Sequence, residues 1–348
     1  MNAVVSRLVA ALCHPFTIDD YVALASPLWS SGEVRARMVE VKRETHDVAT
    51  LVLRPNARWR GHRAGQHVAL TVEVRGVRRT RFFSIASGEV AEDGTIELTV
   101  KARPGGEITP SLISGALRGA IVTLSQASGS FVLPDVMPER TLLLSGGSGI
   151  TPVMSMLRTL PQAGARDEVT FVTWARSEAD VIYREELTRL AREAGPKARV
   201  LVRLGPFDAA ALAEIVPDFE TWDTWACGPA PFLEAVGAAF EARDPAAGER
   251  LRTERFSLDR GADTSGENEV TFTRSDRRAR GGGSLLGLAE RSGLTPETGC
   301  RMGICRTCTC RKISGTTRDL RTGALSTDSD VDVQLCVSEP VGPVALDL

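Results

Sequence analysis

The sequence predicts a multidomain protein built of three successive folds: a small antiparallel β-barrel or sandwich over 34–137, an α/β domain on a parallel sheet over 138–258, and a compact α+β domain over 268–348. Three observations predict it. A chain of 348 residues exceeds what one hydrophobic core usually serves, so two or three domains are expected. Near residue 141 the hydrophobic rhythm switches from short alternating segments to strands that alternate with helices. Five of the seven cysteines fall after residue 267.

Each element follows from its own stretch. Val4, Val5, Leu8, Val9 and Leu12 recur at helical spacing, and TIDD at 17–20 reads as a capping box opening a second helix through Tyr21 and Leu24, so residues 1–33 form a helical N-terminal extension. EVRARMVEV, DVATLVL, HVALTVEV and TIELTVKA alternate as strands do, with turn residues between them. From 141 come TLLLSGG, a helix from Pro152, EVTFVTWA, a helix through 178–193, ARVLVRL, a helix near 208–215, TWACG and a helix from Pro229. That order means a parallel sheet. The polar, glycine-containing run after Phe256 supplies a linker at 259–267.

Composition narrows the function classes. Lys+Arg 42 against Asp+Glu 44 gives a net charge of -2, which points to neither nucleic acid nor an anionic membrane as partner. No apolar run reaches the length of a transmembrane segment, and the opening residues carry no cleavage signal, so a cytoplasmic location is expected. An odd cysteine count without such a signal argues for ligand or redox use over a disulfide scaffold.

Cys300, Cys305 and Cys308 are spaced C-x4-C-x2-C, and Cys336 follows 28 positions later. This is the plant-type [2Fe-2S] spacing, in which a tight loop brings three thiolates and a distant strand the fourth. Gly299 and Gly303 suit a loop whose amides must approach sulfur. Structural zinc is the alternative, and would make the chain a binding or sensing module without turnover. Cys310, two residues past Cys308, reads as a small core residue, as does Cys13. His14, His46, His62 and His67 match no oxygen-activating iron motif.

Residues 268–348 resemble a plant-type ferredoxin domain, which implies a β-grasp fold. One departure is charge, since Arg301, Arg306, Arg311 and Lys312 surround the loop where plant ferredoxins are acidic. TRFFSIAS at 80–87 is similar to the R-x-Y-S flavin motif of the ferredoxin reductase family, with Arg81, Phe83 and Ser84 in the key places and Phe where Tyr is usual. The resemblance implies that Arg81 pairs with phosphate, Phe83 covers the isoalloxazine and Ser84 bonds the ring near N5. Read alone, RFFS is also an ordinary strand. KARPGGEITPSL resembles the family's flavin phosphate loop through Gly105, Gly106 and Thr109, which favours FAD over FMN.

The remaining motifs concern the dinucleotide. GGSGITP, containing Gly146, Gly147, Gly149, Thr151 and Pro152, resembles the family's nicotinamide loop, and Cys227, Gly228 and Pro229 its C-G-P motif, which implies Cys227 beside the reacting carbon. Without the family, Cys227 would be a core cysteine at a strand end. Arg176 and Ser177 lie where the family binds the adenosine 2′-phosphate, and Arg184 follows on the next helix, so NADPH is expected over NADH. A solvated helix face is the alternative there, with Glu185 and Arg189 as an i,i+4 pair. Taken together the chain resembles three-domain reductases that carry electrons from NADPH through FAD to a [2Fe-2S] cluster. The resemblance, with HPFTIDDYVALASPLW, extends to NADPH-dependent reductases of membrane fatty-acyl desaturases. A ring-hydroxylating or other oxygenase is the alternative client.

Overall fold

The computed structural model describes residues 18–91, 93–102, 106, 108–160, 168–256, 268–299, 301, 303, 305–321 and 323–348. The first expected helix, the 259–267 linker, Gly105 and Cys300 lie outside these. By contact the chain forms two compact units, Met1–Gly228 with Phe232–Glu254, and Pro229–Pro231 with Arg255–Leu348.

The second expected helix is α1 (Ile18–Ala25), which leaves Tyr21 and Leu24 exposed. Six strands follow: β1 (Val34–Arg43), β2 (Val48–Pro55), β3 (His67–Val74), β4 (Val77–Ser84), β5 (Ile96–Lys101) and β6 (Ile121–Leu124). They pair antiparallel in the order β4-β3-β6-β1-β2-β5. The sheet curls until its two edges meet at a bridge between Ile85 and Leu98, where Ala86 N donates to Glu97 O at 2.8 Å. Met38, Leu51, Leu53, Leu70 and Leu98 fill the interior. Short α2 (Ile108–Ile113) packs Leu112 against β2 and β5.

The α/β domain contains β7 (Arg140–Gly146), β8 (Glu168–Ala175), β9 (Ala198–Leu204), β10 (Asp223–Cys227) and β11 (Leu251–Glu254). All pair parallel, in the order β11-β10-β7-β8-β9. Chain order therefore reverses between β7 and β10, the switch point where open α/β sheets leave a crevice. Helices α3 (Ile150–Thr159), α4 (Arg184–Glu193), α5 (Ala209–Ile215) and α6 (Ala230–Arg243) connect them. Asp208 caps α5 by accepting from Ala210 N at 2.9 Å.

One expected helix is two pieces. Instead of running through 178–193, the chain makes a 3-10 turn at Glu178–Asp180 and starts α4 only at Arg184. Tyr183 sits between them at φ +57 with its ring buried. Tertiary contact overrides local preference here, because the Tyr183 hydroxyl bonds Thr99 of β5 and its N–H donates to Glu44 Oε2 at 3.2 Å. Arg189 pairs with Glu193 at 2.6 Å and lies 3.9 Å from Glu186, replacing the expected Glu185 pair.

The C-terminal unit contains β12 (Glu269–Phe272), β13 (Arg277–Arg280), α7 (Leu285–Arg291), β14 (Thr309–Asp319), β15 (Leu325–Ser326), β16 (Val331–Gln334) and β17 (Ser338–Leu346). Its sheet runs β13-β12-β17-β14-β15, with β16 also on β14 and β12 parallel to β17. Phe272, Leu285, Leu288 and Leu346 close the core under α7. Among the described residues no helix is long and apolar enough to cross a membrane.

Candidate functional site

The glycine loop and the C-G-P turn face each other across the switch point. Leu142 to Gly146 are buried on both sides of the sheet, so β7 delivers the loop from a rigid base. A Cβ on Gly149 would stand 2.2 Å from Cys227 O, and one on Gly228 would stand 2.6 Å from the Phe232 ring. No side chain fits at either place. Phe232 is held by Trp174 at 5.8 Å and Phe207 at 5.7 Å between ring centroids. Thr151 and Pro152 are buried in the first turn of α3, and Thr151 Oγ1 donates to Ser148 O at 3.2 Å.

β4 presents the other motif. Ser84 is buried opposite His67, Phe83 is half-buried opposite Val68, and Arg81 pairs with Leu70 across the ladder while its Nη1 donates to Thr80 O at 2.8 Å. Thr109 lies half-buried in α2, and Gly106 just before it is half-buried too. Helix α3 ties the two motifs together. Ser155 Oγ donates to Ser87 O at 2.6 Å, Arg158 Nη1 to Ala86 O at 2.7 Å, and Thr159 Oγ1 accepts from Glu89 N at 3.1 Å. The helix that begins at the glycine loop is thus bolted to the segment that leaves Ser84.

Arg158 anchors this junction. Its guanidinium meets Glu97 Oε2 at 2.8 Å and Glu186 Oε2 at 2.5 Å and lies 4.9 Å from the Tyr183 ring centroid. Burial, offset by these partners, leaves Arg158 charged throughout the working pH range. Burial pushes the Tyr183 phenol up and raises the Glu44 carboxyl above its ordinary value. Ser155, Arg158, Tyr183 and Glu44 carry no motif, and sequence reading missed them.

In the cysteine loop, a Cβ on Gly303 would stand 2.7 Å from Val337 and 2.8 Å from Arg321, at a φ of +77 that favours glycine anyway. Thr307 Oγ1 donates to Cys305 Sγ at 3.1 Å. Cys336 hydrogen-bonds Cys308 and draws that thiol below its ordinary value, so these two sulfurs are neighbours from opposite ends of the motif. Cys310 is buried on β14 with its thiol toward the carbonyls of Arg311 and Asp347. Among the described residues no three His, Cys, Asp or Glu side chains converge as one ion requires.

One member of the expected basic ring around this loop needs correction. Lys312 is fully buried, its Nζ donating to Ser326 O at 2.7 Å, because β14 turns it inward under β15. Arg301 pairs with Glu290, and Arg311 with Asp330 at 3.1 Å.

Three family models match in chain order. An oxidoreductase FAD-binding domain covers 35–132, an oxidoreductase NAD-binding domain 143–237, and a 2Fe-2S iron-sulfur cluster binding domain 271–341. The chain is 38% identical over 351 residues to an NADPH oxidoreductase of Mycobacterium tuberculosis, covering 98% of this chain and 91% of that one. The chain belongs to the three-domain ferredoxin reductase family. A glycine betaine monooxygenase reductase subunit of Pseudomonas aeruginosa is 30% identical, with 92% of this chain and 96% of that one aligned. Phthalate dioxygenase reductase shares the fold, with a TM-score of 0.61 at 20% identity over 91% of this chain and 98% of that one.

As a ferredoxin reductase, the chain is an NAD(P)H-dependent electron-transfer oxidoreductase built for FAD and a [2Fe-2S] cluster. Its residues fit those groups. A Cβ on Gly299 would stand 2.5 Å from Cys305 Sγ, so the loop is kept free of one beside a sulfur, as a cluster demands. The fused cluster domain displaces the zinc alternative.

A residue that no motif flagged lies beside Cys227. Glu254, at the end of β11, is paired in register with Cys227, and its Oε2 is closed from solvent without a hydrogen-bond partner. Burial raises its carboxyl to about 8. The Cys227 thiol is likewise pushed up, by its own burial and by Glu254. One Glu in LRTERF looks like any edge-strand acid, and only strand order puts it beside Cys227.

Proposed function

We propose that the chain takes hydride from NADPH at the β7–β10 crevice and passes single electrons to a separate oxygen-activating partner, a membrane fatty-acyl desaturase. Bound FAD supplies the conversion between a two-electron donor and a one-electron [2Fe-2S] centre. The carrying observation is the α3 junction. Ser155 and Arg158 hold the strand end at Ala86 and Ser87 against the helix whose first turn is the nicotinamide loop. Donor and acceptor sites are therefore positioned by one rigid element, as near-attack geometry requires.

The site residues divide the tasks in this reading. Gly146, Gly147 and Gly149 let backbone approach the dinucleotide, while Cys227, Gly228 and Pro229 close the crevice and exclude water. Ser84 offers a hydroxyl to the flavin, Phe83 covers it, and Arg81, Gly105, Gly106 and Thr109 receive its phosphates. Cys300, Cys305, Cys308 and Cys336 hold the cluster. Arg176, Ser177 and Arg184 receive the 2′-phosphate, a reading that the name of the Mycobacterium tuberculosis relative supports.

For the partner, support comes from the resemblance of HPFTIDDYVALASPLW near the N-terminus to NADPH-dependent reductases of membrane fatty-acyl desaturases. The name of the glycine betaine monooxygenase reductase subunit favours a second reading, in which an oxygenase component is the client. Reconstitution decides. With NADPH and the holoprotein, a membrane fatty-acyl desaturase should form its unsaturated product; support of a ring-hydroxylating oxygenase alone would overturn the desaturase assignment.

A further inference from the structure

The strand end that the reading above assigns to the 2′-phosphate already has carboxylates of the chain on its donors. β8 ends at Ala175, and the next turn folds Asp180 back so that it accepts from Arg176 Nη2 at 2.9 Å and from Ser177 Oγ at 2.8 Å. Arg184 Nη1 donates to Glu178 Oε2 at 2.6 Å. All three donors are thus engaged by one 3-10 turn, Glu178–Asp180. The two acids are not equivalent. The Glu178 side chain is 71% exposed and its ion pair is screened, whereas Asp180 is only 15% exposed. The hydroxyl of Ser177 and the guanidinium of Arg176 keep the Asp180 carboxyl below its ordinary range, so it stays ionised at neutral pH.

We propose that Asp180 sets the choice between the two dinucleotides by competing with the 2′-phosphate of NADPH for Arg176 and Ser177. This rests on the placement of the 2′ position at those two residues. A phosphate dianion that takes both donors leaves Asp180 stripped of its partners with a like charge at hydrogen-bond range. The free 2′-hydroxyl of NADH makes no such demand, because it can donate to Asp180 while Arg176 stays paired. Asp180 therefore opposes NADPH binding selectively and narrows the preference that Arg176 and Arg184 create.

The test compares holoprotein with Asp180→Asn and Arg176→Ala variants, reading kcat/KM for NADPH and NADH with ferricyanide and inhibition by 2′,5′-ADP and 5′-AMP. Asn keeps the shape and removes the charge. Asp180→Asn is expected to raise the NADPH:NADH ratio of kcat/KM about tenfold, through KM, and to tighten 2′,5′-ADP but not 5′-AMP. An unchanged ratio, or parallel losses with both dinucleotides, overturns the role of Asp180 where Arg176→Ala still costs NADPH selectively. If Arg176→Ala costs both dinucleotides alike, the placement of the 2′ position is what fails, and the proposal falls with it.

Discussion

Gly149 shows how tightly one residue can be specified. Its backbone has ordinary helical angles, so the constraint is space alone, and the obstacle is a carbonyl that cannot rotate away. Gly149→Ala should lose about 1–3 kcal/mol of stability and raise KM for NADPH, measured by denaturant unfolding and initial rates. Glu254 makes a different prediction. Its folded carboxyl titrates near 8 instead of 4.5, so folding takes up a proton between those values. Its contribution to stability is whole below about pH 4.5 and is lost as pH rises through about 8. Glu254→Gln should therefore match the parent in Tm at pH 4 and exceed it at pH 9. A gap of the same size at both ends would rule out the raised carboxyl.

Among elements, α3 is the one that makes two folds act as a single unit. It begins at the glycine loop and ends on Arg158 and Thr159, which bond Ala86 and Glu89 of the antiparallel domain, so its rigidity fixes the loop against the segment after Ser84. Arg158→Ala would leave Glu97 and Glu186 close together without their shared cation. A loss of roughly 2–4 kcal/mol is expected, with slower flavin reduction by NADPH in stopped flow. The broken helix at Tyr183 belongs to the same contact. From residues 178–193 alone a continuous helix is the better reading, since nothing local forbids it. A left-handed tyrosine is stable there because its hydroxyl reaches Thr99 and its amide reaches Glu44 on the neighbouring sheet.

For the whole molecule, the FAD-binding match and all but Pro229–Pro231 of the NAD-binding match fall in the first contact unit, and the iron-sulfur match in the second. Cys305→Ser should abolish NADPH-dependent cytochrome reduction while sparing ferricyanide reduction, because the substitution leaves the FAD-binding and NAD-binding domains untouched. Parallel loss of the two activities would contradict that division. Anaerobic titration with NADPH should bleach the flavin band and produce a paramagnetic iron signal in the parent, and only the first of these in the variant.

By itself the sequence determined the three folds in order, the glycine-rich and cysteine motifs, and so the family. Such features are local: strand and helix periods, glycines where backbone must come close, and thiols at fixed spacing all leave their mark within a few residues. Tertiary structure alone decided that Glu254 stands beside Cys227, that Tyr183 interrupts a helix, that Lys312 points inward and that Asp180 engages the donors beside it. Those outcomes depend on which strands become neighbours and which faces are covered. Burial and pairing across long sequence separations are summed over the whole fold, and no short window of residues contains that sum.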